Sequence, residues 1–238
     1  MRSERLDKLL CASGLYTRSE ARALITSGRV TVDGIPVRKP ETQIDRTSSI
    51  VAAGQPVDTA EFIYIMLHKP AGMVSASKPE GSLPPVTDLL PAAWQRRGMG
   101  CVGRLDADVT GLLLLTDDGA YIHRVTSPRS EIAKTYAVTL DGPVTDADAR
   151  TLAAGVTLRD GTVYRPAMLE PTADNTALVT VTEGKYHEVK NLMAVIGRRV
   201  LAMRRESIGG LRLDSSLPPG GFRRLTDAER DLVFYHFD

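Results

Sequence analysis

The first 46 residues carry apolar and polar positions in an order that predicts two short helices followed by a β-hairpin. Apolar residues recur at helical spacing in residues 5–12 and again in residues 20–25. Two β-prone runs follow, at residues 30–32 and 35–37, and the Asp-Gly pair between them is a strong hairpin signal. We therefore expect this part of the chain to form a compact helix–helix–hairpin unit.

The pattern changes after this unit. Residues 47–60 are mostly small or polar and contain Gly and Pro, which predicts a solvated linker with one short strand at residues 49–52. From Phe62 onward, β-prone runs alternate with helical segments. The strand candidates are residues 62–69, 112–116, 135–140, 177–182, 199–205 and 210–213, and the helix candidates are residues 146–154 and 188–196. This mixture predicts an α+β fold in which residues 61–238 form a mainly antiparallel mixed sheet flanked by helices.

The composition is that of an ordinary globular protein. Of the 238 residues, 42% are hydrophobic and 25% are charged, which allows one well-buried core and a small second domain. No apolar run approaches the length of a membrane span, and the charged N-terminal segment does not resemble a secretion signal. Cys11 and Cys101 lie far apart, and the histidines show no zinc-ligand spacing. We therefore expect a cytoplasmic protein without a bound metal.

Positive charge is concentrated near the N-terminus. The net charge is +1 overall, but residues 1–50 carry nine Lys or Arg against six Asp or Glu, whereas residues 61–238 carry 21 against 22. Any nucleic-acid surface must therefore be a local patch, and the N-terminal segment is the first candidate for it. The candidate contacts are Arg5, Lys8, Arg18, Arg22 and Arg29. Their spacing alone favours a plainer interpretation, two solvated helix faces.

A glycine-rich motif in the middle of the chain matches a nucleotide-binding pattern only in its letters. Gly98, Gly100 and Gly103 have the GxGxxG spacing, but a dinucleotide fingerprint requires a strand before it and a helix after it. The preceding segment LLPAAWQRR is not a strand, and the residues after Gly103 do not begin an amphipathic helix. A dinucleotide-dependent enzyme is thus disfavoured.

The most informative segment is the charged loop before a run of four leucines. In GRLDADVTGLLLLTDDG, at residues 103–119, Arg104 and Asp106 flank a leucine at the mouth of a predicted strand. Opposite charges in such a position suit an active site, although a polar loop before a core strand is the plainer alternative. Asp106 and Asp108 could also be a metal-binding pair, but no third ligand lies nearby in the sequence.

This segment resembles the signature of the pseudouridine synthases that modify ribosomal RNA, and the family carboxylate falls on Asp106. Three further segments match in the same order: HKPAG, in which His68 replaces the usual Asn; SPRSEIAKTYAVTL, whose tyrosine is Tyr136; and EGKYHEVKNLMAVIG, whose basic residue is Lys190. In the last segment, Glu188 and Asn191 depart from the family pattern. Neither position has a catalytic role in the family, so the resemblance implies that the departures concern RNA contacts and helix packing.

Residues 3–46 resemble a second family, the S4 RNA-binding domain, through RLDKLL and TRSEARALITSGRVTVDG. The resemblance implies a small N-terminal S4-like α/β domain at residues 1–46, joined by the linker at residues 47–60 to a catalytic domain at residues 61–238. It also favours RNA binding by the N-terminal basic residues over the solvated-face interpretation.

The resemblance to the pseudouridine synthases implies a chemistry. The reaction breaks the N1–C1′ bond of a uridine, turns the uracil and joins C5 to C1′, so it requires no external cofactor. Asp106 would supply the anion, either by adding to C1′ or by removing a C2′ proton, and Lys190 would orient it and keep it ionised. Tyr136 would stack on the base and move the C5 proton. Arg104 would fill the space that the flipped nucleotide leaves.

The segment TSPRSEIAKTY and the ending RRESIGGLRLDSSLPPGGFRRLT are most similar to the RsuA family, the branch that modifies uridine 516 of 16S ribosomal RNA. This similarity implies a monomer that meets its RNA in a small-subunit assembly intermediate, away from membranes. Two alternatives stay open: a 23S rRNA pseudouridine synthase of the same family, and a non-catalytic S4-type assembly factor.

Overall fold

The computed structural model describes residues 3–235, so the outermost residues of the two predicted domains, 1–2 and 236–238, lie outside the description. The chain divides into two compact units. The first combines the chain through Ile63 with Thr87–Met99, and the second combines Tyr64–Val86 with the chain from Gly100 onward. Within the described residues, no helix is both long and apolar enough to cross a membrane.

The N-terminal unit contains the predicted helices and hairpin. Its elements are β1 (Ser3–Arg5), α1 (Leu6–Ala12), α2 (Arg18–Thr26), β2 (Val30–Val32), β3 (Ile35–Pro36), β4 (Gln43–Asp45), β5 (Ile50–Ala52), β6 (Gln55–Pro56) and, later in the chain, α3 (Ala92–Arg96). Strands β3, β2, β5 and β6 form one sheet in that order, and β1 pairs with β4. Leu6, Leu9, Leu10 and Ile25, whose spacing predicted the helices, are fully buried in one core. A capping box at Thr17 starts α2.

The segment predicted to be a linker, residues 47–60, is part of the N-terminal unit. Strand β5 pairs with β2 in antiparallel register, and β6 pairs with β5. Ile50, Ala52 and Val57 are buried in the same core as the helices. The structure therefore corrects the predicted boundary. The Gly and Pro that indicated a linker belong to the turn and edge of a very short hairpin, which has the same composition.

A later segment, residues 87–99, also belongs to the N-terminal unit. Arg96 Nε donates to the carbonyl oxygen of Gly14 at 2.5 Å, and Arg97 Nη1 donates to that of Ala12 at 2.7 Å. The predicted catalytic domain is thus interrupted by a segment that packs elsewhere. The sequence pattern did not indicate this, because hydrogen bonds from side chains to a distant backbone produce no hydrophobic periodicity.

The second unit is built on one nine-stranded sheet. Its elements are β7 (Tyr64–Lys69), β8 (Gly100–Val102), β9 (Thr110–Thr116), α4 (Gly119–Thr126), β10 (Lys134–Leu140), α5 (Asp146–Ala153), β11 (Val156–Thr157), β12 (Val163–Tyr164), β13 (Met168–Ala173), β14 (Thr176–Val181), α6 (Glu188–Val195), β15 (Val200–Ile208), β16 (Leu211–Arg212), β17 (Phe222–Arg224) and α7 (Asp227–Leu232). The sheet order is β13-β14-β10-β15-β9-β7-β17, with β16 beside β15 and β8 beside β9, and β11 and β12 form a separate hairpin. Of the strand pairs in the described sheet, the β9–β15 pair alone is parallel. The predicted α+β class with a mainly antiparallel mixed sheet is confirmed.

Strand β9 lies inside the sheet and is buried on both faces. Its leucines, Leu112–Leu115, are at most 1% exposed. A strand covered on both faces has a continuous apolar run in place of alternation, which explains the four consecutive leucines. Helix α4 follows directly, because the Asp118 side chain accepts hydrogen bonds from the N–H groups of Ala120 and Tyr121. This helix was not predicted, since Asp-Asp-Gly has the composition of a turn that ends a strand.

Gly111 allows β9 and β15 to approach each other where their parallel pairing occurs. Its φ of +106° lies in the region that favours glycine. A Cβ at this position would lie 2.4 Å from the carbonyl oxygen of Arg205 and 2.6 Å from its backbone nitrogen. Backbone atoms within a sheet cannot move aside as a flexible side chain can, so the close approach of the two strands requires glycine.

Replacing Gly111 with alanine should destabilise the second unit. The added methyl group meets strand backbone and the φ is strained for alanine, so we expect the free energy of unfolding to fall by about 2 kcal/mol or more in urea denaturation. Gly119→Ala is the matched control, because Gly119 starts α4 and its Cβ position has no atom within 4 Å. The control should be neutral or stabilising by up to about 1 kcal/mol. Equal stability of the two variants would contradict this account.

Candidate active site

The loop before β9 is held by the end of β7. The ammonium group of Lys69 is fully buried and donates to the carbonyl oxygens of Val109 at 2.8 Å and Ala107 at 3.3 Å. The Gly72 N–H donates to the same Ala107 oxygen at 2.8 Å. The segment HKPAG therefore fixes the backbone of residues 106–109.

The residue before Asp106 is fixed as well. Ser75 Oγ accepts a hydrogen bond from the Leu105 N–H at 2.9 Å and donates to the Leu105 carbonyl oxygen at 2.8 Å. The Val109 N–H donates to the Asp106 carbonyl oxygen at 3.1 Å. Asp106 thus projects from a backbone that is held on both sides, and its side chain is 30% exposed.

Helix α6 brings Lys190 to this carboxylate. Its Nζ lies 2.9 Å from Asp106 Oδ2, and 2.9 and 3.0 Å from the two oxygens of Asp108. Partial burial opposes the charged form of Lys190, but these hydrogen bonds outweigh it and raise the pKa of Lys190 above its usual value. Partial burial likewise opposes the Asp108 carboxylate, and the hydrogen bond from Lys190 nevertheless lowers the pKa of Asp108. One ammonium group is therefore shared by two carboxylates.

His187 reaches the same carboxylate from the position just before α6. Its Nε2 lies 3.3 Å from Asp106 Oδ2. Its backbone is left-handed, with φ +53°, which is uncommon for a residue other than glycine. Since Lys190 follows three positions later, at a spacing that places side chains on one side of a helix, both residues can contact one oxygen.

Tyr136 lies on β10, two strands away from β9 in the sheet. It is paired with Val179 of β14 and with Arg205 of β15, and Arg205 is in turn paired with Gly111 of β9. Directly paired residues of neighbouring strands point to the same face of a sheet. Tyr136 is 8% exposed, so its ring is largely enclosed on the face that carries the Arg205 side chain.

Buried cations lie along these strands. Arg205 is 1% exposed, and its Nε donates to a carbonyl oxygen of β9 at 2.8 Å. Burial lowers the pKa of Lys134 to about 8, the nearby Arg205 adds to the effect and Glu188 opposes it. Burial also lowers the pKa of Lys69 to about 8, although the negative charges of Asp106 and Asp108 oppose this shift. Burial therefore disfavours the charged form of both lysines.

Arg104 contacts Glu80 rather than Asp106. Its guanidinium is 73% exposed and lies 3.4 Å from Glu80 Oε1. A contact of this length between exposed groups contributes little to stability. The Arg104 side chain is therefore accessible, at the end of the loop that carries the carboxylate.

The N-terminal basic residues differ in their surroundings. Arg5 donates to the buried Asp7 carboxylate at 3.0 and 2.8 Å, and Arg22 Nε lies 3.5 Å from it. The hydrogen bonds from Arg5 are the main cause of a lowered pKa at Asp7. Lys8, Arg18 and Arg29 are exposed. Arg5 belongs to β1, which pairs with β4, so the interpretation of the five basic residues as two solvated helix faces is wrong for Arg5.

Neither the Asp106–Asp108 pair nor the GxGxxG letters has the structural surroundings of a cofactor site. Asp106 and Asp108 share Lys190, and the described residues contain no group of three or more His, Cys, Asp or Glu side chains that could hold a metal ion. The GxGxxG letters begin after the end of α3, pass through strand β8 and reach the start of the Asp106 loop. This order differs from the strand–loop–helix of a dinucleotide fingerprint.

Known proteins share this arrangement of domains. A family model described as RNA pseudouridylate synthase matches residues 63–195, and the S4 domain model matches residues 4–50. The chain belongs to the RNA pseudouridylate synthase family. It is therefore an isomerase of the pseudouridine synthase class that carries an S4 domain.

Relatives of this synthase match over nearly its whole length. The uncharacterised RNA pseudouridine synthase YtzG of Bacillus subtilis is 40% identical, over 96% of this chain and 98% of its own. The ribosomal small subunit pseudouridine synthase A of Escherichia coli is also 40% identical, over 94% of this chain and 97% of its own. A crystal structure of a pseudouridylate synthase superposes with a TM-score of 0.68 at 35% identity, covering 96% of this chain and 99% of that one.

The sequence motifs indicate no contact for three residues of the synthase site. From its position in the motif, Asp108 suggests a metal ligand, and His187 and Lys69 are simply parts of the matching segments. The spacing between His187 and Lys190 carries a usable signal, since residues three apart share one side of a helix. The buried contacts of Lys69 carry none, because their acceptors are backbone carbonyls remote in sequence.

The buried Lys69 should make the stability of this synthase depend on pH. Its pKa is about 8 in the folded protein and 10.5 in a fully solvated lysine. Between these values the unfolded chain binds more protons than the folded one. This group therefore makes the free energy of unfolding rise with pH in that interval.

Lys69→Met removes this contribution along with the three hydrogen bonds that Lys69 donates. The free energy of unfolding of the wild type, minus that of the variant, should rise from about pH 8 to about pH 10, by at most about 1.4 kcal/mol per pH unit. Urea unfolding across this range measures it. Lys39→Met, at an exposed lysine, is the control for the loss of a lysine. A difference that stays constant with pH would show that Lys69 does not titrate as described.

Proposed function

We propose that this synthase converts one uridine of small-subunit ribosomal RNA to pseudouridine. The observation that carries the proposal is the Asp106 carboxylate, which projects from a braced loop and accepts a hydrogen bond from Lys190 at 2.9 Å. Relatives named ribosomal small subunit pseudouridine synthase A cover nearly the whole chain at 40% identity. The substrate named for these relatives supports the small-subunit RNA over 23S rRNA.

Asp106 is the proposed catalytic carboxylate. The uracil must leave C1′ and return through C5, so an anion has to act at the sugar, by addition to C1′ or by removal of a C2′ proton. Lys190 and His187 both contact Oδ2, which leaves Oδ1 for the sugar. Lys190 orients the carboxylate and stabilises its charge, and Asp108 holds Lys190 from the other side.

Tyr136 is proposed to hold the detached uracil. Its ring offers a flat face for stacking, and its hydroxyl can exchange the C5 proton. The enclosed position of the ring supports this role, because a freed uracil must be kept from diffusing away before it turns. The pairing from Tyr136 through Arg205 to Gly111 ties its strand to β9, directly after the Asp106 loop.

The exposed basic residues are proposed to bind RNA. Arg104, whose exposed guanidinium makes a long contact with Glu80, would fill the stack that the target nucleotide leaves when it flips out. In the S4 domain, the phosphate contacts would come from Arg5, Lys8, Arg18, Arg22 and Arg29. Because Asp7 already engages two of these, Arg5 and Arg22, we expect the other three to contribute more of the binding.

Within the small-subunit RNA, we propose uridine 516 as the target. The protein would act as a cytoplasmic monomer on an assembly intermediate, without an external cofactor. With four Phe, seven Tyr and one Trp in the chain, recognition should rest mainly on RNA shape and phosphate positions. A folded RNA fragment, or one carrying early assembly proteins, should therefore be a better substrate than a bare oligonucleotide.

Cells that lack the gene should lack a single pseudouridine of 16S rRNA in chemical mapping. The wild-type gene should restore it, and Asp106→Asn should not, because the variant keeps the size of the side chain and loses its charge. In vitro this variant should be reduced by far more than about tenfold, with RNA binding near that of wild type. Asp174→Asn, in an exposed turn, is the matched control.

The outcomes of this mapping separate the alternatives. Loss of a 23S position would move the target to the large subunit, and unchanged pseudouridine in both RNAs would overturn the proposed function. Activity of Asp106→Asn within about tenfold of wild type would remove Asp106 from its catalytic role.

Tyr136→Phe should separate the two roles of this ring. If the hydroxyl moves the C5 proton, the variant should bind RNA normally but release almost no pseudouridine, as measured by single-turnover assays. Tyr136→Leu should lose the stacking face too, and so bind the target more weakly. Turnover of Tyr136→Phe at the wild-type rate would limit the residue to stacking.

A further inference from the structure

Tyr186 and His187 form a stacked aromatic pair that the proposed chemistry leaves without a full role. The ring centroids are 3.7 Å apart and the planes differ by 23°. Tyr186 is 80% exposed, more than any other large apolar or aromatic residue in the described part of the chain. A single exposed tyrosine needs no explanation by itself. This one, however, is stacked on a residue that contacts the proposed catalytic carboxylate.

The segment that carries the pair is fastened to the rest of the domain. The Lys185 N–H donates to Glu188 Oε2 at 3.1 Å. Asn191 Nδ2 donates to the hydroxyl of Tyr164 at 2.7 Å and to the carbonyl oxygen of Tyr186 at 3.4 Å. The two residues that depart from the family pattern, Glu188 and Asn191, thus both help to fix the segment. A ring held in place loses little entropy when a ligand stacks on it.

We propose that Tyr186, backed by His187, stacks on an RNA base adjacent to the target uridine. This inference rests on the proposed function, since it takes Asp106 as the site of the reacting sugar. The His187 imidazole covers one face of the Tyr186 ring, and its Nε2 lies 3.3 Å from Asp106 Oδ2. The other face is open. A base stacked there is separated from the His187 imidazole by a single ring, which places it among the nearest neighbours of the target.

The need for such a platform follows from base flipping. When the target uridine leaves its stack to reach Asp106, the bases on both of its sides lose a stacking partner. Arg104 can replace the partner of one of them, and the loss at the other opposes binding. An exposed aromatic ring replaces that partner with little preference for the identity of the base. The platform would therefore hold the RNA in its opened form and leave the choice of site to RNA shape and phosphate contacts.

The test places 2-aminopurine, a base whose fluorescence is quenched by stacking, beside the target uridine. The RNA is a fragment in which the wild-type enzyme makes pseudouridine, so a failure of the platform is distinguishable from a failure of the proposed function. Three RNAs carry the reporter on the 5′ side, on the 3′ side, or at a remote paired position. All proteins carry Asp106→Asn, so the RNA is bound without being converted.

With Tyr186 present, the reporter on one flank should stay quenched in the complex. With Tyr186→Ala it should brighten at that flank alone, and RNA affinity should fall by about five- to hundredfold. Tyr186→Phe keeps the ring and should behave as the parent protein. Tyr235→Ala removes another exposed tyrosine, 64% exposed, and should change neither readout.

Two results would overturn the proposal. In the first, Tyr186→Ala leaves both the affinity and the flanking fluorescence unchanged. In the second, measured without Asp106→Asn, Tyr186→Ala lowers kcat while KM and the reporter stay constant, which would limit the ring to orienting His187. Far-UV circular dichroism and thermal unfolding of each variant verify that the domain remains folded.

Discussion

The ammonium group of Lys69 joins the two segments on which the active site depends. Lys69 is the last residue of β7 and is fully buried. Its ammonium group donates to the carbonyl oxygens of Pro70, Ala107 and Val109. A buried charge is unfavourable unless its hydrogen-bonding capacity is satisfied, and the pKa of about 8 reflects that cost. The loop that carries Asp106 must therefore take a conformation in which its carbonyl oxygens converge on Lys69. In any other loop conformation, the buried N–H groups of Lys69 would lack hydrogen-bond acceptors.

The parallel contact between β9 and β15 extends this constraint across the sheet. Gly111 lets the two backbones meet directly after the Asp106 loop, and Arg205, paired with it, is paired on its other side with Tyr136. The enclosed tyrosine and the carboxylate are therefore related by strand pairing, which is far more rigid than a connection through loops. Such placement on regular elements suits a reaction in which a base detaches and must be recaptured.

Charge in this protein is arranged differently from what its sequence suggests. In the N-terminal unit, the buried Asp7 forms ion pairs with Arg5 and Arg22. The patch therefore offers a ligand fewer uncompensated positive charges than its number of basic residues suggests. At the active site, Lys190 is divided between Asp106 and Asp108. In both places one partly buried group holds two of opposite sign, because a charge removed from water is stable only beside its counter-charges.

The sequence by itself determined the elements with a local signature and the identity of the family. Helical spacing in residues 5–12, the Asp-Gly hairpin, and the leucine run of β9 each lie within a short window, where periodicity and turn chemistry act directly. The matching segments likewise singled out Asp106, Tyr136 and Lys190 as candidates, whose roles stay predictions. The tertiary structure alone decided that residues 47–60 and 87–99 belong to the N-terminal unit. It also decided that His187 and Lys69 contact the Asp106 loop and that Asp108 shares Lys190 with Asp106. These features depend on hydrogen bonds and ion pairs between segments distant in the chain, and such contacts need no periodic pattern in the residues that form them.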